Sequence, residues 1–482
     1  MNTRERLTSW LRFLFFLSRN TLSMIGVVLV SSTSVTLIFF WAVESLTHRT
    51  LPAYVGILFF LILPGLFVIG LLLIPAGMFL FRHKLRAEGH LPESYPQIDL
   101  GDRLVRRSVN LVVSLSFVNI FIFGTASYKG VEYMETTQFC GQACHVVMDP
   151  EFTAYQNSPH QRVACVQCHI GPGADWFVRS KLSGTRQVFA VMFNTFPRPI
   201  PSPVHNLRPA RETCEQCHWP EKFSGDKFLV RTKYTDDEKN TPQTTVLVLK
   251  LGGTTWQGRM GIHGRHLDVQ SRISYVSTDG RRQVIPKVTY IDDEGKTVEF
   301  ESSDVQPKPE ELAKAERRVM DCVDCHNRPT HAFELPERAV DKAMSSGLIS
   351  IELPFMKKKA VEVLRTEYPD REVAKQRIAA VLTEFYKTSY PQVYQQHRAV
   401  IERSVENVQA IYLRNVFPNM KLTWGTHPNN IGHEDFLGCF RCHDGSHTSK
   451  DGRVIKNDCD TCHTILAMGE ENPKILQDLG LK

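Results

Sequence analysis

Twelve cysteines, all of them after residue 139, constrain this chain more than any other feature of its sequence. They form six closely spaced pairs, and a histidine directly follows each pair. Five pairs have the pattern Cys-x-x-Cys-His, and the first pair has one extra intervening residue. The pairs with their histidines are Cys140/Cys144/His145, Cys165/Cys168/His169, Cys214/Cys217/His218, Cys322/Cys325/His326, Cys439/Cys442/His443 and Cys459/Cys462/His463.

Cys-x-x-Cys-His is the attachment signature of c-type haem, in which two thiols bind the porphyrin and the histidine is the proximal iron ligand. A chain of this composition should contain about 0.01 such motifs by chance. Disulfides and zinc ribbons also use paired cysteines, but neither requires a histidine after every second cysteine. The pattern therefore predicts six covalently bound haem c groups.

Histidines outside the motifs are candidates for the second, distal ligand of each iron. Ten of them lie after the first predicted membrane span and outside the basic loop that holds His83 and His90. Because six haems need at most six distal ligands, no iron has to stay open, which favours electron transfer over small-molecule chemistry. The preferred candidates are His160, His263, His266, His331, His433 and His447.

Spacing adds detail to these candidates. His263 and His266 are close together, so we expect only one of them to bind iron. His331 and His447 each follow a motif closely, so each is expected to serve a neighbouring haem rather than its own.

The first motif has two candidate ligands of its own. Met148 lies three residues after His145, and so short a link cannot straddle a porphyrin. Only one of the two can therefore bind the same iron, and the sequence leaves the choice open. A methionine ligand would raise the reduction potential relative to a site with two histidines.

Three uncharged stretches precede the motifs: Met24–Val43, Tyr54–Phe81 and Ser108–Tyr128. Each is long enough to cross a bilayer as a helix, because about 20 apolar residues span the hydrocarbon core. The first lacks a small-x-small cleavage site, so we expect an anchor rather than a signal peptide. Basic residues cluster before the first stretch and between the second and third, which predicts an inner N-terminus and an outer haem region.

The rest of the chain predicts a mixed fold. The net charge of +6 is small for 482 residues, and the basic residues are not clustered with aromatics, so nucleic acid is a poor partner. Alternating residues predict strands at Thr244–Leu251, Arg272–Val276, Gln283–Ile291 and Thr297–Phe300, and helical periodicity predicts helices at Glu310–Met320, Glu372–Phe385 and Tyr394–Val408.

These elements suggest a membrane-anchored multihaem cytochrome c with a mostly α-helical and irregular outer domain, cored by haem, into which an antiparallel β region is inserted. The predicted divisions are a cytoplasmic tail at 1–23, three transmembrane helices at 24–128, a region with haems one to three at 129–226, a β-rich insertion at 227–305, and a helical domain with haems four to six at 306–482.

The stretch Cys140–Phe223 resembles the NapC/NirT family of membrane-anchored quinol-oxidising cytochromes, which includes the NrfH type. The matching segments are CGQACHVVM at 140–148, SPH at 158–160, CVQCH at 165–169, WFVRSK at 176–181 and CEQCH at 214–218. The resemblance implies electron uptake from menaquinol or ubiquinol at the bacterial inner membrane and delivery to a periplasmic redox protein or cytochrome. Larger family members with several helices and extra haems look closer than the small ones.

The resemblance also carries over single residues. Met148 resembles the methionine of the quinol-side haem, His160 a distal ligand, and Lys181 a lysine of the quinol pocket. This chain departs from the family in its three predicted helices, its six motifs and its longer first motif. Val188 stands where the family has an acidic residue, so another acid such as Asp175 must substitute or the pocket differs.

A quinol-oxidising electron-transfer cytochrome of anaerobic respiration is therefore the leading hypothesis, and as an enzyme it would be a quinol dehydrogenase. Two alternatives stay open. A terminal reductase of nitrite or a similar anion would need one iron without a distal ligand. A relay haem subunit of a larger membrane complex would not oxidise quinol itself.

Overall fold

A computed structural model describes residues 16–18, 20–47, 58–89, 101, 103–143, 145–171, 173–204, 208–218, 225–255, 258–267, 272–292 and 294–481 of the protein. The chain divides into two compact units, Met1–His145 and Val146–Lys482.

Three long helices build the first unit: α1 (Thr21–Thr47), α2 (Leu63–Ala87) and α3 (Arg103–Met134). A π-helical turn, Leu58–Ile62, leads into α2. The segments Thr21–Val43, Leu58–Ala87 and Val109–Met134 are long and apolar enough to cross a membrane. They coincide with the three predicted stretches, except that 54–57 lie outside the described residues.

Helices α1 and α2 pack closely because small residues line their contact. A Cβ added at Gly26 would lie 2.7 Å from the carbonyl oxygen of Gly70, and one at Gly77 would lie 2.7 Å from the amide nitrogen of Ser23. The Ser23 hydroxyl donates to the carbonyl of Ile74 at 2.8 Å. Small residues and interhelical hydrogen bonds are typical of helices that associate in lipid.

The first motif follows α3 directly. A π-helical turn, Phe139–Ala143, carries Cys140, and α4 (His145–Gln156) begins at the motif histidine. Cys144 and the side chain of His145 lie outside the described part of the chain. Three further helices, α5 (Cys165–His169), α6 (Ala174–Met192) and α7 (Ala210–Cys214), complete the region of the first three motifs.

Antiparallel strands form two sheets and one hairpin in the second unit. The first sheet has the order β1-β2-β10 and the larger sheet has the order β8-β5-β6-β7-β9, while β3 and β4 form the hairpin. The strands are β1 (Lys227–Tyr234), β2 (Pro242–Leu249), β3 (Gly253–Thr255), β4 (Gly258–Met260), β5 (Ser274–Ser277), β6 (Lys287–Ile291), β7 (Thr297–Ser302), β8 (Glu316–Val319), β9 (His447–Ser449) and β10 (His463–Glu470).

The four predicted strands overlap β2, β5, β6 and β7, whereas β1, β3 and β4 of the same region were missed. Asp279 forms the turn before β6, since its carboxylate accepts hydrogen bonds from three backbone amides. Strands β9 and β10 come from the end of the chain and pair with β7 and β2. Both sheets therefore draw strands from beyond the predicted insertion.

The later helices of this unit are α8 (Gly261–His266), α9 (Pro309–Lys314), α10 (Cys322–Cys325), α11 (Pro336–Ser345), α12 (Met356–Arg365), α13 (Arg371–Ser389), α14 (Pro391–Gln396), α15 (Arg398–Asn415), α16 (Cys459–Cys462) and α17 (Lys474–Asp478). Four of these helices enclose the main apolar core. Tyr386 and Tyr412 are the largest buried side chains of this core, between α11, α12, α13 and α15.

Two of the three predicted helices correspond to α13 and α15. The predicted helix Glu310–Met320 is wrong after residue 314, because Glu316–Val319 is the edge strand β8, paired with β5. Burial alternates from residue to residue along β8, as in a strand, and does not follow the helical period that the sequence suggested.

Candidate haem-binding centres

Short helical turns present the described cysteine motifs. The second, third, fourth and sixth motifs lie on or at the end of α5, α7, α10 and α16, and the fifth lies on a 3₁₀ turn, Gly438–Arg441. One turn brings the two thiols of a pair to the same side and leaves the histidine at the end of the turn, which suits attachment to one porphyrin.

Each histidine of the five standard motifs faces a histidine from elsewhere in the chain. The ring centroids of these five pairs are 5.8–6.5 Å apart. The pairs are His169 with His331 at 6.2 Å, His218 with His160 at 5.9 Å, His326 with His263 at 6.5 Å, His443 with His266 at 5.8 Å and His463 with His433 at 6.2 Å.

This spacing fits one metal ion between the rings of each pair. A bond of about 2.0 Å from imidazole nitrogen to metal, plus about 1.1 Å from that nitrogen to the ring centre, separates two axial rings by roughly 6.2 Å. Direct ring stacking would bring the centroids closer, as in the contact between His433 and Phe440 at 4.2 Å. The ring separation of each histidine pair therefore fits a metal ion between the two rings.

Backbone carbonyl groups orient several of these rings. Nδ1 of His331 donates to Glu151 at 2.9 Å, Nδ1 of His266 to Ile262 at 2.8 Å and Nδ1 of His443 to Lys456 at 2.5 Å. His160 donates in the same way to Pro329 at 3.2 Å. With Nδ1 engaged, Nε2 is left for a metal, which is the usual arrangement of histidine ligands.

Burial keeps four of the paired imidazoles neutral at pH 7. Removal from water lowers the pKa of His169, His266, His326 and His331, chiefly by penalising the charged form. A neutral imidazole has a free nitrogen lone pair, which an iron ligand needs.

Helix α8 carries two of the facing histidines, His263 and His266, within six residues. Each ring faces a different motif histidine, which differs from the expectation that only one of them binds iron. Their separation of three residues is close to one helical turn, which is enough to direct the two rings towards neighbouring motifs.

His331 lies opposite a motif other than the one that it follows, as its spacing predicts. A buried ion pair supports it: Arg328 donates to the carbonyl oxygen of His331 at 2.6 Å and pairs with Glu151 at 3.3 Å. Glu151 in turn accepts from the His331 ring through its carbonyl group. Sequence analysis could not anticipate this support, because Glu151 is far from Arg328 and His331 in the chain.

His447 does not have the environment of a ligand, contrary to the sequence prediction. It is 1% exposed on β9, where Nδ1 contacts Asp444 at 2.9 Å and Nε2 donates to the carbonyl oxygen of Ile285 at 2.8 Å. The neighbouring carbonyl makes Nε2 a donor there, so both nitrogens are occupied. Pairing of β9 with β7 buries the ring away from the described motif histidines.

Successive motifs are neighbours in space. The thiol pKa of Cys168 is raised by burial and then by the thiols of Cys214, Cys165 and Cys217, so the second and third motifs adjoin. The neighbouring Cys322 thiol is the main cause that lowers the pKa of Cys214, so the third and fourth motifs also adjoin.

The remaining motifs extend the same series. Burial raises the pKa of Cys325 to about 11, and the Cys439 thiol adds to this shift. Burial likewise raises the pKa of Cys462, with a further contribution from Cys439. The fifth motif therefore lies between the fourth and the sixth.

A charged residue inside the fourth motif was missed by the sequence analysis. Asp324 is 1% exposed, and its carboxylate accepts from the Tyr275 hydroxyl at 2.6 Å, from Arg318 at 3.1 Å and from the backbone amide of Asp321 at 2.7 Å. Burial, and then the Asp324 charge, raises the pKa of Tyr275. An acidic residue between two motif cysteines is the signal that could have pointed to this network.

His427 is a second residue that the sequence did not single out. It is 6% exposed beside Phe333, and its Nε2 has no hydrogen-bond partner among the described residues. Burial lowers its pKa to about 4, and the neighbouring Arg328 adds to the shift.

Lys181 lies on α6, with its ammonium group 4.7 Å from the centre of the Phe177 ring. The same helix exposes a row of large apolar side chains, namely Val178, Leu182, Val188, Phe189 and Met192. Trp176 and Phe177 on the same helix are half-buried. Asp175 is exposed in the first turn of α6, and Met148 is half-buried in α4.

These motifs, the facing histidines and the three apolar helices define a c-type cytochrome, a protein with covalently bound haem c that takes part in electron transport. The N-terminal region of the NapC/NirT cytochrome c family matches residues 103–199. The chain belongs to this family.

Two relatives place the chain within it. It is 43% identical over 457 residues to the cytochrome c-type protein ImcH of Geobacter sulfurreducens, a match that covers 94% of this chain and 89% of that protein. It is 25% identical over 112 residues to the cytochrome c-type protein NrfH of Wolinella succinogenes, which covers 23% of this chain and 63% of that protein. No solved structure matches.

Proposed function

We propose that this protein oxidises a membrane quinol, menaquinol or ubiquinol, and relays the electrons through six c-type haems to a periplasmic redox protein in anaerobic respiration. The observation that carries the proposal is the set of five histidine pairs, each with one motif histidine and ring centroids 5.8–6.5 Å apart.

The chain would hold haems two to six between those pairs, with thioether bonds from the adjacent cysteines. The first haem would be attached to Cys140 and Cys144, with His145 or Met148 as its ligand on the motif side. Bound haem iron supplies reversible one-electron transfer at each centre. The protein residues would attach the porphyrins and would supply two histidine ligands to each of haems two to six.

Full axial occupancy favours a relay over a reductase. Every standard-motif histidine faces a second histidine, so the five centres offer no open position to nitrite or a similar anion. The adjacency of successive motifs supports a continuous electron path from the second to the sixth centre.

The membrane end of the path is proposed at the first motif. Helix α3 runs to Met134, and Cys140 follows shortly after it. Because the helix is a candidate membrane span, the first haem would lie near the bilayer surface, within reach of a quinol. Positive flanking residues support an inner N-terminus and a periplasmic haem region.

Lys181 is proposed to act on the quinol by exchanging protons with its hydroxyl groups. Supporting this role, α6 exposes an apolar row of the kind that lies along a membrane interface. The competing role is a lysine that only reaches lipid phosphate.

The test is reduction of the purified protein by a menaquinol analogue in detergent. The proposal predicts rapid reduction of the wild type, and slower reduction of Lys181→Ala by quinol with unchanged reduction by dithionite. Arg186→Ala is the matched control, since it removes another cation from the same helix. Equal rates for wild type and Lys181→Ala would remove Lys181 from the site, and no quinol reduction of the wild type would favour a relay subunit.

A further inference from the structure

Arg441 lies between the two cysteines of the fifth motif and is buried, with 8% of its surface exposed. Burial of a guanidinium is strongly unfavourable unless its donors are satisfied, because the charge loses its hydration. A buried arginine inside a haem-binding motif therefore needs an explanation from its surroundings.

Backbone carbonyl groups satisfy the Arg441 side chain. Nε donates to Gly438 at 2.8 Å, Nη1 to Arg282 at 2.8 Å and Nη2 to Asp324 at 2.6 Å. All three acceptors are neutral. Among the described residues no carboxylate lies within ion-pair distance of Arg441, whereas the equally buried Arg328 pairs with Glu151 at 3.3 Å.

The nearest buried carboxylate is engaged elsewhere. Asp324 offers Arg441 only its backbone carbonyl, while its side chain binds Arg318 at 3.1 Å and lies 3.9 Å from Arg282. The charge of Asp324 is thus balanced by two arginines. Among the described residues, no carboxylate balances the charge of Arg441.

Arg441 lies between two motifs. Its hydrogen bond to Asp324 reaches into the fourth motif, and its own position is in the fifth. Asp324 directly precedes the motif cysteine Cys325, and Arg441 directly precedes Cys442. The guanidinium is therefore close to the attachment points of two porphyrins.

We propose that Arg441 is a potential-setting residue, whose fixed positive charge raises the reduction potentials of the fourth and fifth haems together. The inference rests on the proposed ligation of these two haems. Reduction adds one electron to each iron, and a nearby cation stabilises the added negative charge most where water is excluded. The two centres then accept electrons readily in the middle of the relay.

The test is a spectroelectrochemical titration of the intact protein with two substitutions at one position. Arg441→Gln keeps hydrogen-bond donors but removes the charge, and Arg441→Lys keeps the charge but loses the planar fork. The proposal predicts that two of the measured potentials shift downward in Arg441→Gln and stay close to wild type in Arg441→Lys. Arg403→Gln, on the exposed face of α15, changes the net charge equally and should leave all potentials unchanged.

Three outcomes would overturn the proposal: wild-type potentials in Arg441→Gln, equal shifts in both Arg441 variants, or loss of haem from both variants, which would assign Arg441 to assembly. Haem content and the low-spin spectrum of the wild type test the ligation separately. Failure of the proposed function is thus distinguishable from failure of this inference.

Discussion

Two histidines that follow a motif at almost the same distance have different environments. His331 faces the His169 ring, whereas His447 is hydrogen bonded through both nitrogens within a sheet. Nothing in the local sequence separates the two, because the deciding partners, Glu151 and Ile285, come from distant parts of the chain.

Matched substitutions at these positions should have different spectral effects. Asparagine at either position is too short to reach an iron. We expect His331→Asn to convert one haem to the high-spin state, and His447→Asn to keep the wild-type spectrum at a stability cost of about 1–3 kcal/mol for the lost buried hydrogen bonds. Electron paramagnetic resonance of the oxidised variants measures the first effect, and thermal unfolding the second. A high-spin signal in His447→Asn would restore it as a ligand.

His427 predicts a pH dependence of stability. Its pKa is lowered to about 4, first by burial and then by Arg328 and Arg281, with Glu151 opposing. The unfolded chain binds a proton near pH 6.5 and the folded chain does not, so stability is full above pH 6.5 and falls as the pH drops towards 4. The loss at the lower limit is roughly 3 kcal/mol.

Removal of the titrating group should flatten this pH dependence. His427→Gln is expected to lose less stability between pH 6.5 and 4 than the wild type, as measured by denaturant unfolding at several pH values. His397→Gln, at an exposed histidine, is the control and should follow the wild-type curve. An unchanged slope in His427→Gln would show that other groups cause the acid sensitivity.

At the scale of elements, the proposed haem ligation depends most on α8. This helix carries one facing histidine for each of two motifs. The β3–β4 hairpin leads directly into it, and Gly261 begins it with φ of +65°. A Cβ at Gly261 would lie 2.5 Å from the carbonyl oxygen of Lys250 and 2.7 Å from the amide nitrogen of Gly252.

Gly261→Ala should therefore disturb two haems at once. A side chain at this positive φ and in this contact costs about 1–3 kcal/mol. We expect α8 to shift and the high-spin fraction to rise by up to two haems in the oxidised spectrum. Gly280→Ala is the matched control, since no atom lies within 4 Å of its added Cβ. A normal spectrum for Gly261→Ala would mean that the hairpin does not fix the ligands.

At the scale of the whole molecule, the three long helices set the topology. Three crossings would place the two ends of the chain on opposite sides of the membrane. Reporter fusions at Gln97, which lies outside the described residues, and after Lys482 should therefore report opposite sides. The positive flanks predict that the Gln97 fusion is cytoplasmic. Fusions on the same side would mean that one of the helices does not cross.

The haem content is the second prediction for the whole molecule. Twelve cysteines in six pairs predict six covalent haems by intact mass and pyridine haemochrome measurement. Five haems would indicate that the first, longer motif is not loaded. Four or fewer would contradict the proposed relay.

The sequence alone determined the features that depend on neighbouring residues. A Cys-x-x-Cys-His motif fits on one helical turn, so its chemistry is complete within five residues. A membrane span needs only a continuous apolar run, and Thr21–Val43, Leu58–Ala87 and Val109–Met134 lie close to the predicted stretches. The predicted strands at β2, β5, β6 and β7 likewise follow from local alternation.

Only the tertiary structure decided which residues meet across the chain. The pairing of His266 with His443, the burial of His447 and the contacts of Arg441 all join segments that are far apart in sequence. Local sequence sets what a side chain can bind, but long-range packing sets what it does bind, because the entropy of bringing distant segments together is overcome only by the assembled core.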